Sequence, residues 1–114
     1  MPARYALIAT LALLAPPAFA QDHEGHGTMA PYMATMVPMM EAMDGMASSS
    51  DVDADFLLMM IPHHQSAIDM ARVELEHGDD PATQEMARKI INAQEHEIAE
   101  MRAMLSRLGV EAPD

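Results

Sequence analysis

Phe56-Leu57-Leu58-Met59-Met60-Ile61-Pro62-His63-His64-Gln65-Ser66-Ala67-Ile68-Asp69-Met70-Ala71 is the stretch that decides the fold. Leu57, Ile61, His64, Ile68, Ala71 and Leu75 recur at steps of four and three, which is the core-facing stripe of an amphipathic helix. His64 lies in the middle of it. A neighbouring column of Met59, His63, Ser66, Met70 and His77 follows the edge of the same face. Thioether sulfur and imidazole nitrogen suit copper far better than magnesium or calcium, which take oxygen, and Met favours Cu(I). The competing reading is packing, because Met59, Met60 and Met70 are also flexible fillers of a helical core. The histidines add a demand of their own. A buried polar group left unpaired costs roughly 1–3 kcal/mol, so His64 needs a metal or a polar side chain on a facing helix.

Outward from this helix, Ser50 or Asp51 reads as its N-cap, with Asp51, Asp53 and Asp55 near its positive end and Gly78 as its stop. Pro62 removes the hydrogen bond to the Leu58 carbonyl and predicts a bend just before the His pair. Asp79-Asp80-Pro81 is a tight connection, with Asp80 as N-cap and Pro81 as first helical residue. The last helix is expected from Pro81 to about Leu108, stopped by Gly109, with Ala87, Ile91, Gln94, Ile98, Met101, Leu105 and Leu108 as its core stripe. So short a connection makes the two helices antiparallel neighbours. Counting outward from it sets His63 and His64 opposite Gln94 to Met101. Gln94 then becomes the expected hydrogen-bond partner of His64. Glu97, Met101 and Met104, toward the edge, are placed to complete a metal site begun by His63 and Met70, while His96 points to solvent.

Before this hairpin, residues 28–50 carry Met29, Met33, Met36, Met39, Met40, Met43 and Met46 at three- and four-residue steps. Pro31 suits a first helical turn, Pro38 predicts a kink or two short helices, and Gly45 with Ser48-Ser49-Ser50 ends the segment. Most of these Met residues are expected to pack on the other helices. Leu would pack as well and specify the fold better, so their density also makes Met33, Met36, Met40 and Met43 candidate sulfur ligands. Further toward the N-terminus, Gln21-Asp22-His23-Glu24-Gly25-His26-Gly27 offers two histidines with acidic neighbours. His23 and His26 are a candidate Cu(II) chelate needing no folded scaffold, and the plainer alternative is a solvated terminus.

Residues 1–20 read as a signal peptide: Arg4, an apolar run from Tyr5 to Ala15, and Ala18-Phe19-Ala20 as the cleavage pattern. The expected mature product is a periplasmic or secreted chain of 94 residues with no membrane association. It carries 5 basic and 18 acidic side chains and no cysteine. Nucleic acid and anionic membranes are poor partners for such a chain, and cations are good ones. Where exposed thiols oxidise, a thioether is the natural sulfur ligand for a soft metal. The expected layout is a His- and Met-rich segment over 21–50, an antiparallel helical hairpin over 51–109 and a tail over 110–114, an all-α bundle with three helices evident.

His63 to Ala71, preceded by Met60-Ile61-Pro62 and followed by Gln94-x-x-Glu97-Ile98-x-x-Met101, resembles the signature of the family labelled domain of unknown function 305, across roughly Asp53 to Leu108. The resemblance implies a ferritin-like helical bundle. It also implies extracytoplasmic copper binding through Met and His, as in the CopM-like proteins, with His63, His64, Met70, Glu97 and Met101 as the functional positions. Longer members have more helices, and a homodimer could supply the missing one.

Three classes of function compete. A non-enzymatic copper sequestration, tolerance or carrier protein fits the sulfur and imidazole columns; its partners would be copper ions and a copper-transport protein. A di-iron oxidase requires several inward carboxylates with Glu-x-x-His pairs, and only Glu97 can be set near the site. A Met-rich structural or partner-binding bundle without metal is the alternative.

Overall fold

A computed structural model describes residues 27–114. All regular structure within them is helical: α1 spans Ala30–Asp44, α2 Val52–His77 and α3 Pro81–Arg107. α2 is the middle element. α1 packs on one side of it and α3 on another, while α1 and α3 barely meet. No helix among the described residues is long and apolar enough to cross a membrane.

Local chemistry sets the ends of the hairpin. Asp51 is extended, and its carboxylate accepts from the Asp53 and Ala54 N–H groups at 2.9 and 3.3 Å, satisfying donors the helix leaves unpaired. Asp80 does the same for α3, accepting from the Thr83 N–H at 2.8 Å and the Thr83 hydroxyl at 2.7 Å. Gly109 adopts φ +73°, a left-handed conformation that suits glycine. Its N–H bonds the Ser106 carbonyl at 3.1 Å and the Val110 N–H bonds the Leu105 carbonyl at 3.0 Å, the paired closure of a Schellman turn. That turn sends the last residues back along the hairpin, so Val110 and Ala112 pack on the core. The expected tail is therefore part of the packing.

Between α2 and α3 lies a core of Ala54, Leu57, Leu58, Ile61, Ile68, Ile98, Met101 and Leu105. Ile68 and Leu105 are fully enclosed. The stripe read from Leu57 to Ala71 faces inward as expected, His64 included, and Leu75 is half-buried.

Of the alternatives at Pro38 the break into two helices does not occur, and the Met packing is only partial. α1 is one helix with Pro38 inside it, not two. Pro38 lines the cleft against α2 together with Thr35, Met39 and Ala42, so contacts on both sides of it hold the helix across the lost hydrogen bond. α2 also continues through Pro62, the position of the expected bend. The Met stripe packs in part: Met36, Met39, Met43 and Met46 are half-buried, Met46 against the core, whereas Met33 and Met40 are 57% and 60% exposed and no residue of α1 is fully buried. The half-buried side of α1 is Tyr32, Thr35, Met36, Met39 and Met43, with Pro38 and Ala42 at its margin lining the cleft to α2, and Met33, Val37 and Met40 form its exposed side. A helix with apolar residues all round can bury only the side that touches its neighbour.

Candidate metal centre

His64 is held by both ring nitrogens. Nδ1 lies 2.9 Å from the Met60 carbonyl oxygen, one turn earlier on α2. A carbonyl can only accept, so Nδ1 carries the hydrogen and Nε2 presents the lone pair, the tautomer set by the same kind of bond in metal-ligating histidines. Nε2 lies 2.5 Å from Glu97 Oε2 on α3. A lone pair and a carboxylate oxygen cannot face each other so closely without a proton between them. The pair is therefore imidazolium with carboxylate, or imidazole with carboxylic acid.

Glu97 takes the place expected for Gln94. Position 94 lies on the core side of α3 and is half-buried, whereas Glu97 starts from the flank and its side chain is about half exposed. The bond from Nδ1 to the helix backbone turns the ring so that Nε2 points at that flank, within reach of the longer side chain. No buried side-chain nitrogen or oxygen among the described residues lacks a partner.

Around this dyad the predicted donors separate into three levels. His63 is exposed beside His64, with ring centroids 6.3 Å apart and ring planes tilted by 59°. Met59, one turn before His63, is exposed, while Met60 is half-buried and Met101 buried against the core. Met104 sits toward the end of the hairpin, in a groove with Val52, Phe56 and Leu108. Met70 is at the opposite end. Seven residues, about 10.5 Å of helix, separate it from His63, and it lines a groove of about 290 Å³ with Met86 and Ile90. The structure thus joins His64 to Glu97 and sets His63 beside them, but it does not gather His63 with Met70. Met33, Met36, Met40 and Met43 stand apart on α1. His23 and His26 lie outside the described residues, as does the expected signal peptide. Among the described residues no three His, Asp or Glu side chains stand together as a group able to hold a metal ion. His96 is exposed as expected, 3.4 Å from Glu100.

Some contacts escaped the sequence reading. The Tyr32 hydroxyl donates to Glu74 Oε2 at 3.0 Å and ties α1 to α2. That bond, with partial burial and the Glu74 charge, pushes the phenol above its ordinary value. Asp55 receives the Ser48 hydroxyl and both the N–H and the hydroxyl of Ser49, each at 2.7 Å, which fixes the Ser48–Ser50 turn and lowers its carboxyl. Ser50 in that turn takes φ +67°. The run of serines ahead of an acidic first turn was the available signal. Met86 could have been found by counting outward from the 78–80 connection, which pairs it with Met70.

A curated relative, the uncharacterized protein L153 of Acanthamoeba polyphaga mimivirus, is 40% identical over 53 residues, 46% of this chain. Those residues cover 35% of the relative, so the chain spans about a third of its length. A family profile described as a domain of unknown function matches residues 9–105, nearly the whole hairpin and the segment before it. The chain belongs to the DUF305 family.

Proposed function

We propose that this protein binds copper outside the cytoplasm, in a sequestration, tolerance or carrier role, through His and Met side chains on its helical hairpin. The observation that carries the reading is the setting of His64. Its Nδ1 is committed to the Met60 carbonyl, its Nε2 points at Glu97, and the exposed His63 and Met59 stand beside it. That is an oriented imidazole with further nitrogen and thioether donors at hand, and the donor types favour copper over hard cations. Copper taking Nε2 must displace the proton held between His64 and Glu97, so binding releases a proton and strengthens as pH rises. His63 supplies a second nitrogen, Met59 a thioether, and Glu97 a carboxylate freed to turn toward the metal. The absence of cysteine supports the same reading, because thioethers keep their ligand character in an oxidising compartment.

The exposed Met33 and Met40 of α1 favour a second reading, a pliable surface for a partner protein. Competition titration with Cu(I) and Cu(II), with Fe(II) and Zn(II) as controls, separates the two. Replacing His63 by Ala together with Met59 by Leu should weaken Cu(I) binding at least tenfold, about 1.4 kcal/mol. Unchanged affinity in that variant would overturn the placement, and no copper preference over zinc would overturn the reading.

A further inference from the structure

α1 and the returning C-terminal segment cover two sides of the hairpin, and a third side is left open. On α2 the exposed large apolar residues are Val52, Phe56, Met59 and Met70, all within one narrow arc of the helix. On α3 they are Met86, Ile90, Met104 and Leu108, again on one arc. Because the helices are antiparallel, both arcs look out on the same side. Two shared grooves confirm this: Met70 with Met86 and Ile90 at one end, bordered by Tyr32 of α1, and Val52 and Phe56 with Met104 and Leu108 at the other. Val52 is 85% exposed and Phe56 61%. At about 200 Å² for a large side chain, the eight leave about 800 Å² of surface on one face. The area is shared between the two ends of the face, and its total is close to the roughly 800 Å² per partner that a stable interface buries.

Apart from Val52 and Met59, which face Glu74 and Ala67 on reversal, the apolar positions of this face recur in either direction. Phe56 and Met70 each lie seven residues, two helical turns, from His63. On α3, Met104 and Ile90 each lie seven residues from Glu97, and Leu108 and Met86 each eleven. The middle is polar, with His63 and the His64–Glu97 pair, and both ends are apolar. A two-fold axis through the middle therefore sets apolar ends on apolar ends and polar cluster on polar cluster.

We propose that two copies of this chain pair through the open α2–α3 face, forming a four-helix core and bringing their two His63–His64–Glu97 clusters together at its centre. Two helices from each copy satisfy the geometry that favours bundles, and the contact is isologous, the commonest form of oligomer symmetry. The pairing is carried by apolar area and register and requires no metal, so it stands or falls apart from the copper reading. If copper binds, the two-fold doubles the donors within reach, whereas among the described residues one copy brings no three His, Asp or Glu side chains together.

Sedimentation velocity of the copper-free mature protein over a concentration series tests the proposal. A dimer is expected, and the Phe56→Asp variant should raise its dissociation constant at least about tenfold with helical circular dichroism unchanged. Val37→Asp is the control, since Val37 is 52% exposed but lies on α1, and it should leave the constant within about twofold. Met86→Asp, at the other end of the face, gives an independent variant if Phe56→Asp loses helicity. A protein that stays monomeric up to about 1 mM overturns the proposal, as does a dimer weakened by Val37→Asp and not by either variant of the open face.

Discussion

Glu97→Gln is the sharpest test of the His64–Glu97 pair. In the parent protein the 2.5 Å contact holds a proton between Nε2 and Oε2, and a charged form of the pair makes it a charge-assisted bond. A glutamine at 97 can donate its amide N–H to the bare Nε2, so the contact survives as a neutral bond with no proton to be supplied. Hydrogen bonds to charged groups contribute about 1.5–3 kcal/mol and neutral ones about 0.5–1.5. The difference is discounted because about half of the Glu97 side chain is open to water. The expected loss is about 1 kcal/mol for Glu97→Gln, or roughly 4–8 °C in melting temperature for a domain of this size. Glu97→Leu leaves Nε2 without a protein partner and should cost about 1–2 kcal/mol. Combining Glu97→Leu with His64→Leu removes both polar partners and should cost less than the two single losses added, because no unpaired nitrogen remains. Thermal melts followed by circular dichroism give these numbers, and nitrogen chemical shifts of the imidazole report which ring nitrogen holds the hydrogen. Both single variants melting within about 1 °C of the parent would refute the reasoning, as would a bare Nδ1 in the folded parent.

Three further outcomes are expected. Replacing Met33, Met36, Met40 and Met43 by Leu should change stability by less than about 0.5 kcal/mol, since none of them is buried, yet lower the Cu(I) count; an unchanged count would leave α1 as a partner surface. Deleting residues 21–27 should remove one Cu(II) equivalent and spare both helicity and Cu(I) binding, and equal Cu(II) stoichiometry with and without the segment would dismiss His23 and His26 as ligands. For pH, Ser49 and Ser48 hold the Asp55 carboxyl, and Thr83 the Asp80 carboxyl, below the ordinary 3.8. A lowered folded value means that their stabilisation is complete above that ordinary value and fades as pH falls through the folded one. Acid titration of Ser49→Ala should therefore show a shallower stability loss below pH 3.8 than the parent, and parallel curves would count against the Asp55 contacts.

Hairpin geometry was legible because each of its signals acts locally. Asp51, Asp80 and Gly109 close helix ends through bonds reaching two to five residues, Pro81 fits a first turn by its fixed φ, and the stripe from Leu57 to Ala71 needs only the period of the helix. What failed to show was anything set by a turn of a side chain or by the angle between helices. Gln94 and Glu97 differ by one turn, and the choice between them rests on the direction in which the Nδ1 bond points the His64 ring. The Met stripe of α1 has sound helical spacing, but spacing cannot say which face of a helix with apolar residues on several sides meets its neighbour. The return of Val110 and Ala112 depends on the handedness of the Gly109 turn, which sequence marks only as a stop.

Two exposed apolar surfaces coexist on this chain, and their residue types assign them different work. The open hairpin face mixes Phe56, Val52, Ile90 and Leu108 with its methionines, side chains with defined rotamers that pack specifically. The exposed side of α1 is Met29, Met33 and Met40 with Val37 among them, mostly thioethers, pliable and poor at specifying one partner geometry. A surface built for a fixed contact gains from side chains with few rotamers, and a surface rich in thioethers suits soft metal. The two should therefore be separable. Phe56→Asp should weaken pairing without lowering the Cu(I) count of the α1 stripe, and the fourfold Met→Leu variant should lower that count without altering the dissociation constant. Lying on different faces, the two sets of changes should combine with an interaction of less than about 0.5 kcal/mol. A larger interaction would mean that metal on α1 and contact on the hairpin face are one device, with copper drawing the two copies together.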